Sequence, residues 1–159
     1  MMTSTTRSFS APRLLAVLVT IITAVGAVLA DLVIPASAVQ HLRNDAWPPH
    51  AKFHDAQYIV MTVLLSAVAL TLLLQRGNPT RSRMWAACAI LATPWLGLLG
   101  ATLFPGTAVH DPEFDNGSIL GLHPQVFMAV ILLTLLVVAA AITARPEAGT
   151  ESSAPSRSR

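Results

Sequence analysis

Apolar residues fall along this chain in four stretches that carry no acidic or basic side chain: residues 14–30, 56–75, 84–109 and 116–144. The first extends through Asp31 to residue 34. About 20 residues of helix cross a hydrocarbon core about 30 Å thick. Backbone amides in lipid must find partners within their own segment, so each stretch predicts a transmembrane helix. The third and fourth stretches exceed one span. They are expected to leave the hydrocarbon near Pro105 and to re-enter it near His123. The pattern therefore predicts an all-α fold, an integral membrane four-helix bundle over residues 14–144. Residues 1–13 and 145–159 flank it as disordered ends rich in Ser, Thr and Pro, because such composition buries too little apolar surface to fold.

Basic residues set the expected orientation. Arg7 and Arg13 precede the first helix, Arg76, Arg81 and Arg83 lie between the second and third, and Arg145, Arg157 and Arg159 follow the fourth. Arg43 and Lys52 fall on the other side. Both termini are expected to be cytoplasmic, with loops 35–49 and 105–122 facing outward, in a multi-pass protein of the cell membrane. The first stretch has a second reading. Arg7 and Arg13, an apolar run and then Ala36-Ser37-Ala38 also resemble a secretory signal with a small-residue cleavage site.

Composition narrows the function classes. Of 159 residues 53% are hydrophobic and 11% charged, and the mean hydropathy is +0.61. Soluble domains are about 25% charged. A nucleic-acid binder, a disordered chain and an ordinary cytosolic enzyme are excluded. The net charge of +2 comes from residues at the ends of apolar runs rather than from one basic patch. Cys88 is the single cysteine and lies inside an apolar run, so there is no disulfide framework and no thiolate metal site. The sequence contains no His-Glu-x-x-His, no Gly-x-Ser-x-Gly and no phosphate-binding glycine loop. No cofactor or metal is assigned from it.

The polar residues are sorted. All five histidines, His41, His50, His54, His110 and His123, map to the half expected outside. Six of the eight acids, Asp31, Asp45, Asp55, Asp111, Glu113 and Asp115, map there too. Neutral histidine carries little weight in the positive-inside rule, so this points to a polar site at one mouth of the bundle. The densest block is Trp47-Pro48-Pro49-His50-Ala51-Lys52-Phe53-His54-Asp55-Ala56-Gln57. Pro49 suits the first turn of the second helix. His50, His54, Gln57 and Met61 then share one helix face. Such a pair of histidines serves as acid and base, holds a metal, or sits at the interface. Asp31, an acid within or just beneath the interface, is expected to face protein or water. It is placed at the depth of His54 on the neighbouring antiparallel helix. His123, at the start of the fourth helix, is a third candidate. Inside the third helix, Pro94 predicts a kink, and Gly97, Gly100 and Ala101 a close packing interface.

An acid ending helix one, then His41, then the Trp47–Gln57 block opening helix two resembles a group of small four-helix membrane proteins of bacteria and fungi, most without assigned activity. Size, topology and a polar mouth are also similar to the small membrane-bound epoxide hydrolases and epoxide-opening terpene or polyketide cyclases of fungal biosynthetic pathways. No catalytic residue of those cyclases maps onto this chain, but the convergence of Asp31, His50 and His54 at one depth leads to the expectation of an enzyme acting by acid–base chemistry on a lipophilic small molecule, with epoxide hydrolysis or cyclisation as the leading example. Asp31 is the expected acid, and His54, assisted by His50 or Asp55, the expected base. Gln57, Met61 and His123 are the expected substrate contacts. The alternative expectation is a membrane protein that binds or transports a small molecule or metal without chemistry.

Overall fold

The structure, a computed structural model, describes residues 10–114 and 117–145. The expected disordered ends lie outside it, apart from residues 10–13 and Arg145, and so do Asp115 and Asn116 of the acidic loop. The described residues form five helices, four of them long and apolar enough to cross a membrane. Helix α1 is Ala11–Val28 and continues through a π-helical turn, Leu29–Val33. A short α2 is Pro35–Ala38, α3 is Pro49–Leu73, α4 is Arg81–Ala101 and α5 is Pro124–Ala144.

Local chemistry sets these boundaries. Pro12 occupies the first turn of α1, where a missing N–H removes no helical bond. Pro35 forces Ile34 out of helical geometry, to ψ 114°. Pro48, extended at ψ 155°, hands the chain to α3 with Pro49 in its first turn. The Thr80 hydroxyl caps α4 by accepting from the Arg83 N–H. At the other end of α4, the Thr107 hydroxyl folds back to donate to Ala101 O (2.7 Å) and Phe104 O (2.9 Å). A tight turn, Ile119 to Leu122, with Leu120 at φ 52° and Gly121 at φ 80°, leads into α5. Both central residues of such a turn need positive φ, which glycine adopts at little cost.

The four long helices pack as a ring in the order α1, α3, α4, α5, each neighbour antiparallel, with α5 closing back on α1. At one end, arginines cap neighbouring helices. Arg13, buried at 2% exposure, donates to Gly77 O (2.9 Å) and Gln75 O (3.1 Å) just beyond α3. Arg81 donates to Ala144 O (2.6 Å) and Thr143 O at the end of α5. This clamp draws residues 11–13, expected to be disordered, into the first helical turn.

From that end to mid-bundle the interior is filled. Ala16, Val19, Leu73, Met84, Leu91, Leu132 and Leu136 are buried together with Ala69, Ala87, Ala129 and Ala139. Small residues let backbones approach closely where lipid supplies no hydrophobic drive between helices. One feature of α4 differs from expectation. Gly97 and Gly100 do not mark a close approach, since a Cβ on either would meet nothing within 4 Å. Helix α4 continues through the buried Pro94, and the Trp95 indole beside it donates to the Thr23 hydroxyl of α1 at 3.0 Å. Beyond Trp95 the filled core stops, and the interior of the other end is open, with apolar walls giving way to polar ones at Asp31, His41 and His123.

Candidate functional site

The open end is built around the π turn. An uninterrupted α-helix would carry Asp31 roughly 80° past the buried face defined by Thr23. The wider turn, closed by Ile34 N–H to Leu29 O at 2.8 Å, takes back part of that rotation. Asp31 ends 3% exposed. The Ser37 hydroxyl donates to Ala30 O at 2.6 Å and ties α2 onto the turn. Ala38 is fully buried beneath this connection, and the chain winds on through His41 N–H to Ala38 O (3.1 Å) and Asn44 N–H to His41 O (2.9 Å). Asn44 is itself buried and accepts from the Ala46 N–H. Segment 35–47 is thus a wound plug at the mouth of the bundle.

The plug delivers His41 to Asp31. Their Nδ1 and Oδ1 atoms lie 3.6 Å apart. His41 Nδ1 is also 2.9 Å from Ser37 O. A carbonyl only accepts, so Nδ1 carries the proton and donates. In the neutral ring Nε2 is then the lone-pair nitrogen. Trp47 stands edge-on to the same imidazole at 6.1 Å.

Asp31 and His41 line a cavity of about 320 Å³ with Asp55 and Tyr58 of α3, Trp47, and His110, His123 and Gln125 from the far side. Asp55 Oδ2 is buried there and accepts no hydrogen bond among the described residues. The ring of His110 stacks on that of His123, 5.4 Å between centroids and 9° from parallel. His123 is also the N-cap of α5, its Nδ1 accepting from the Gln125 N–H at 3.3 Å. That bond fixes the opposite tautomer: in the neutral ring of His123, Nε2 carries the proton. Burial, followed by the charges of His110 and His41, pushes the His123 pKa below the ordinary histidine value and favours the neutral ring.

The expected site residues separate into two groups. Asp31, Asp55 and His123 come together on the cavity. His50, His54, Gln57 and Met61 lie along an exposed strip of α3 and do not line it. On that strip the two histidines bond to each other, Nε2 to Nε2 at 3.0 Å, and His54 Nδ1 lies 3.2 Å from Gln57 Oε1. The physical reason is the buried stripe of α3, which runs through Ile59, Thr62, Ser66, Ala69 and Leu73. Followed back by four residues it reaches Asp55, and His54 is rotated about 100° away from it. The residue of α3 that shares the cavity with Asp31 is Asp55, the neighbour of His54. Sequence reasoning missed His41, Tyr58, Trp47 and His110 as site residues. For Tyr58 a signal existed, the run of small and hydroxyl residues within an otherwise Leu- and Val-rich helix. Among the described residues no group of three or more His, Cys, Asp or Glu is arranged to hold a metal ion.

No curated protein and no solved structure matches the chain, so the resemblance to epoxide-opening enzymes has no counterpart there. A family model does match, over residues 15–153, and the chain accordingly belongs to DUF6640, a family of unknown function.

Proposed function

We propose that the protein is a membrane-embedded enzyme acting by acid–base chemistry on a lipophilic small molecule held in the Asp31–His41–His123 cavity. One observation carries this reading: two histidines on one cavity are held by backbone groups in opposite tautomers. His41 offers a lone pair at Nε2 and His123 offers an N–H at Nε2. One accepts a proton and the other donates a hydrogen bond to a developing oxyanion, each without first having to exchange tautomer. Asp31, beside the Nδ1–H of His41, orients that ring and stabilises the imidazolium formed when Nε2 is protonated, the role a carboxylate plays behind a basic histidine.

Epoxide opening is the concrete version. His41 Nε2 takes a proton from water, or from a hydroxyl of the substrate. The oxygen attacks a ring carbon, the carbon–oxygen bond of the strained ring breaks, and the Nε2–H of neutral His123 hydrogen-bonds the ring oxygen as its negative charge develops. The product is a diol or a cyclic ether. The proton taken up at His41 Nε2 passes through water to that oxygen, which returns His41 to its neutral ring and leaves His123 neutral throughout. Asp55 Oδ2, buried and accepting no hydrogen bond among the described residues, would accept the second O–H of an attacking water. In this scheme His41 takes the role of base expected for His54, and Asp31 becomes its partner rather than the acid.

The test is turnover by the purified protein in nanodiscs with a panel of lipophilic epoxides and alkenes. Product formation that is lost in His41→Ala and His123→Ala, both still inserted and folded, supports the proposal. Saturable ligand binding with no product from any member of the panel overturns it in favour of a binding protein.

A further inference from the structure

A second cavity, of about 370 Å³, runs down from the first between α1 and α5. The two share Asp31, Gln40, His41, Tyr58, His123 and Gln125, so they adjoin at those side chains. Its character changes with depth. Below the shared residues the walls are Ile22, Gly26, Ala27 and Ala30 on α1 and Met128 on α5, with Trp95 at the inner wall. From Asp31 to Ile22 the helix descends nine residues, roughly 13 Å.

The gap is a consequence of missing side-chain volume on α1. A Cβ added to Gly26 would meet nothing within 4 Å. Trp95 does not swing in to fill it, because its indole N–H is tied to Thr23, and both residues are buried. Beneath this level Ala16 and Val19 are fully buried in the core, which closes the bottom. The volume is at the small end of the ~300–1,000 Å³ of ligand pockets.

We propose that this slot holds the hydrocarbon tail of the molecule whose polar or reactive head lies at Asp31, His41 and His123, so that the ligand is a single-tailed amphiphile drawn from the bilayer. The inference deepens the proposed function by naming its substrate class and rests on that reading for the head alone. Lipid tails are as apolar as the slot, so moving a tail from bilayer to slot adds little affinity. The slot therefore acts as a ruler. Its closed bottom fixes how far the tail descends and hence which carbon stands beside His41 and His123.

The experiment uses the full chain in phosphatidylcholine nanodiscs, with Trp47→Phe and Trp85→Phe leaving Trp95 as the one tryptophan for the quenching measurements, and turnover read on the parent chain. The probes are primary alkanols and terminal epoxyalkanes of graded length, brominated at the chain end. Long probes are expected to quench Trp95 with saturation. Gly26→Leu, and separately Met128→Trp read by displacement of a labelled probe, should raise the half-saturating concentration of long probes at least tenfold and leave short ones unchanged. Quenching that rises linearly with probe in the bilayer and ignores both substitutions overturns the slot. Saturable quenching without turnover of any epoxide overturns the chemistry and leaves the slot standing. Turnover indifferent to chain length does the reverse.

Discussion

Replacing Asp31 by Asn keeps the shape of the side chain and removes its charge, which isolates the part the carboxylate plays behind His41. The carboxylate and the Nδ1 it faces are 3.6 Å apart. At an effective dielectric near 20, opposite unit charges at that separation attract by about 4–5 kcal/mol. The interaction is realised when His41 accepts a proton, so it lowers the barrier without tightening ground-state binding. The side chain of His41 is 29% exposed and that of Asp31 5%. Screening by water on the histidine side reduces the useful part to about 3–4 kcal/mol, or roughly 10²- to 10³-fold in rate. Asp31→Asn should therefore lower kcat for an accepted substrate by that factor and leave KM within about threefold, measured on nanodisc-embedded protein. A neutral partner should also keep the Nδ1 bond to Ser37 O and so preserve the tautomer. Asp31→Asn with kcat within about threefold of the parent, alongside an inactive His41→Ala, would refute the dyad.

Three further outcomes follow from the same geometry. His54→Ala, on the exposed strip of α3, should leave turnover within about twofold, the range of ordinary surface substitutions; a loss as deep as that of His41→Ala would move the site to that strip. Thr23→Val leaves the Trp95 indole N–H buried without an acceptor and should cost about 1–3 kcal/mol, read as a lower Tm in detergent. His123 has a lowered pKa when folded, so the unfolded chain binds more protons as pH falls below the ordinary histidine value near 6.5, and stability declines on the acid side. His123→Gln should flatten that acid limb, with His110 and His41, the other imidazoles that face it, left in place; an unchanged pH profile of Tm would contradict the assignment.

The long helices and the polar mouth were legible because charge-free runs and sorted histidines are properties of composition along the chain. Which of two adjacent residues faces inward is a finer matter. His54 and Asp55 differ by one step of helix, about 100°, and the His50–His54 spacing says that they share a face without saying which face. The stripe through Thr62, Ser66 and Ala69 carries that information, since hydroxyl and small residues mark helix contacts in lipid. His41 was beyond such reasoning. Its place depends on a π turn that rotates Asp31 and on a loop wound by Ser37 and Asn44, and neither has a periodic signature. The expected boundary at residue 14 failed for a related reason, because Arg13 is held by carbonyls more than sixty positions away.

That arginine has a consequence for anyone altering the protein's direction in a membrane. The usual experiment relocates positive residues from one flank to the other and asks whether the chain flips. Here Arg13 and Arg81 also stopper the frayed ends of α3 and α5. Moving them would uncork those helices while changing the charge balance, so an inverted or degraded product would mix two causes. Arg83 and Arg76, both exposed, are the residues whose transfer isolates the electrostatic one.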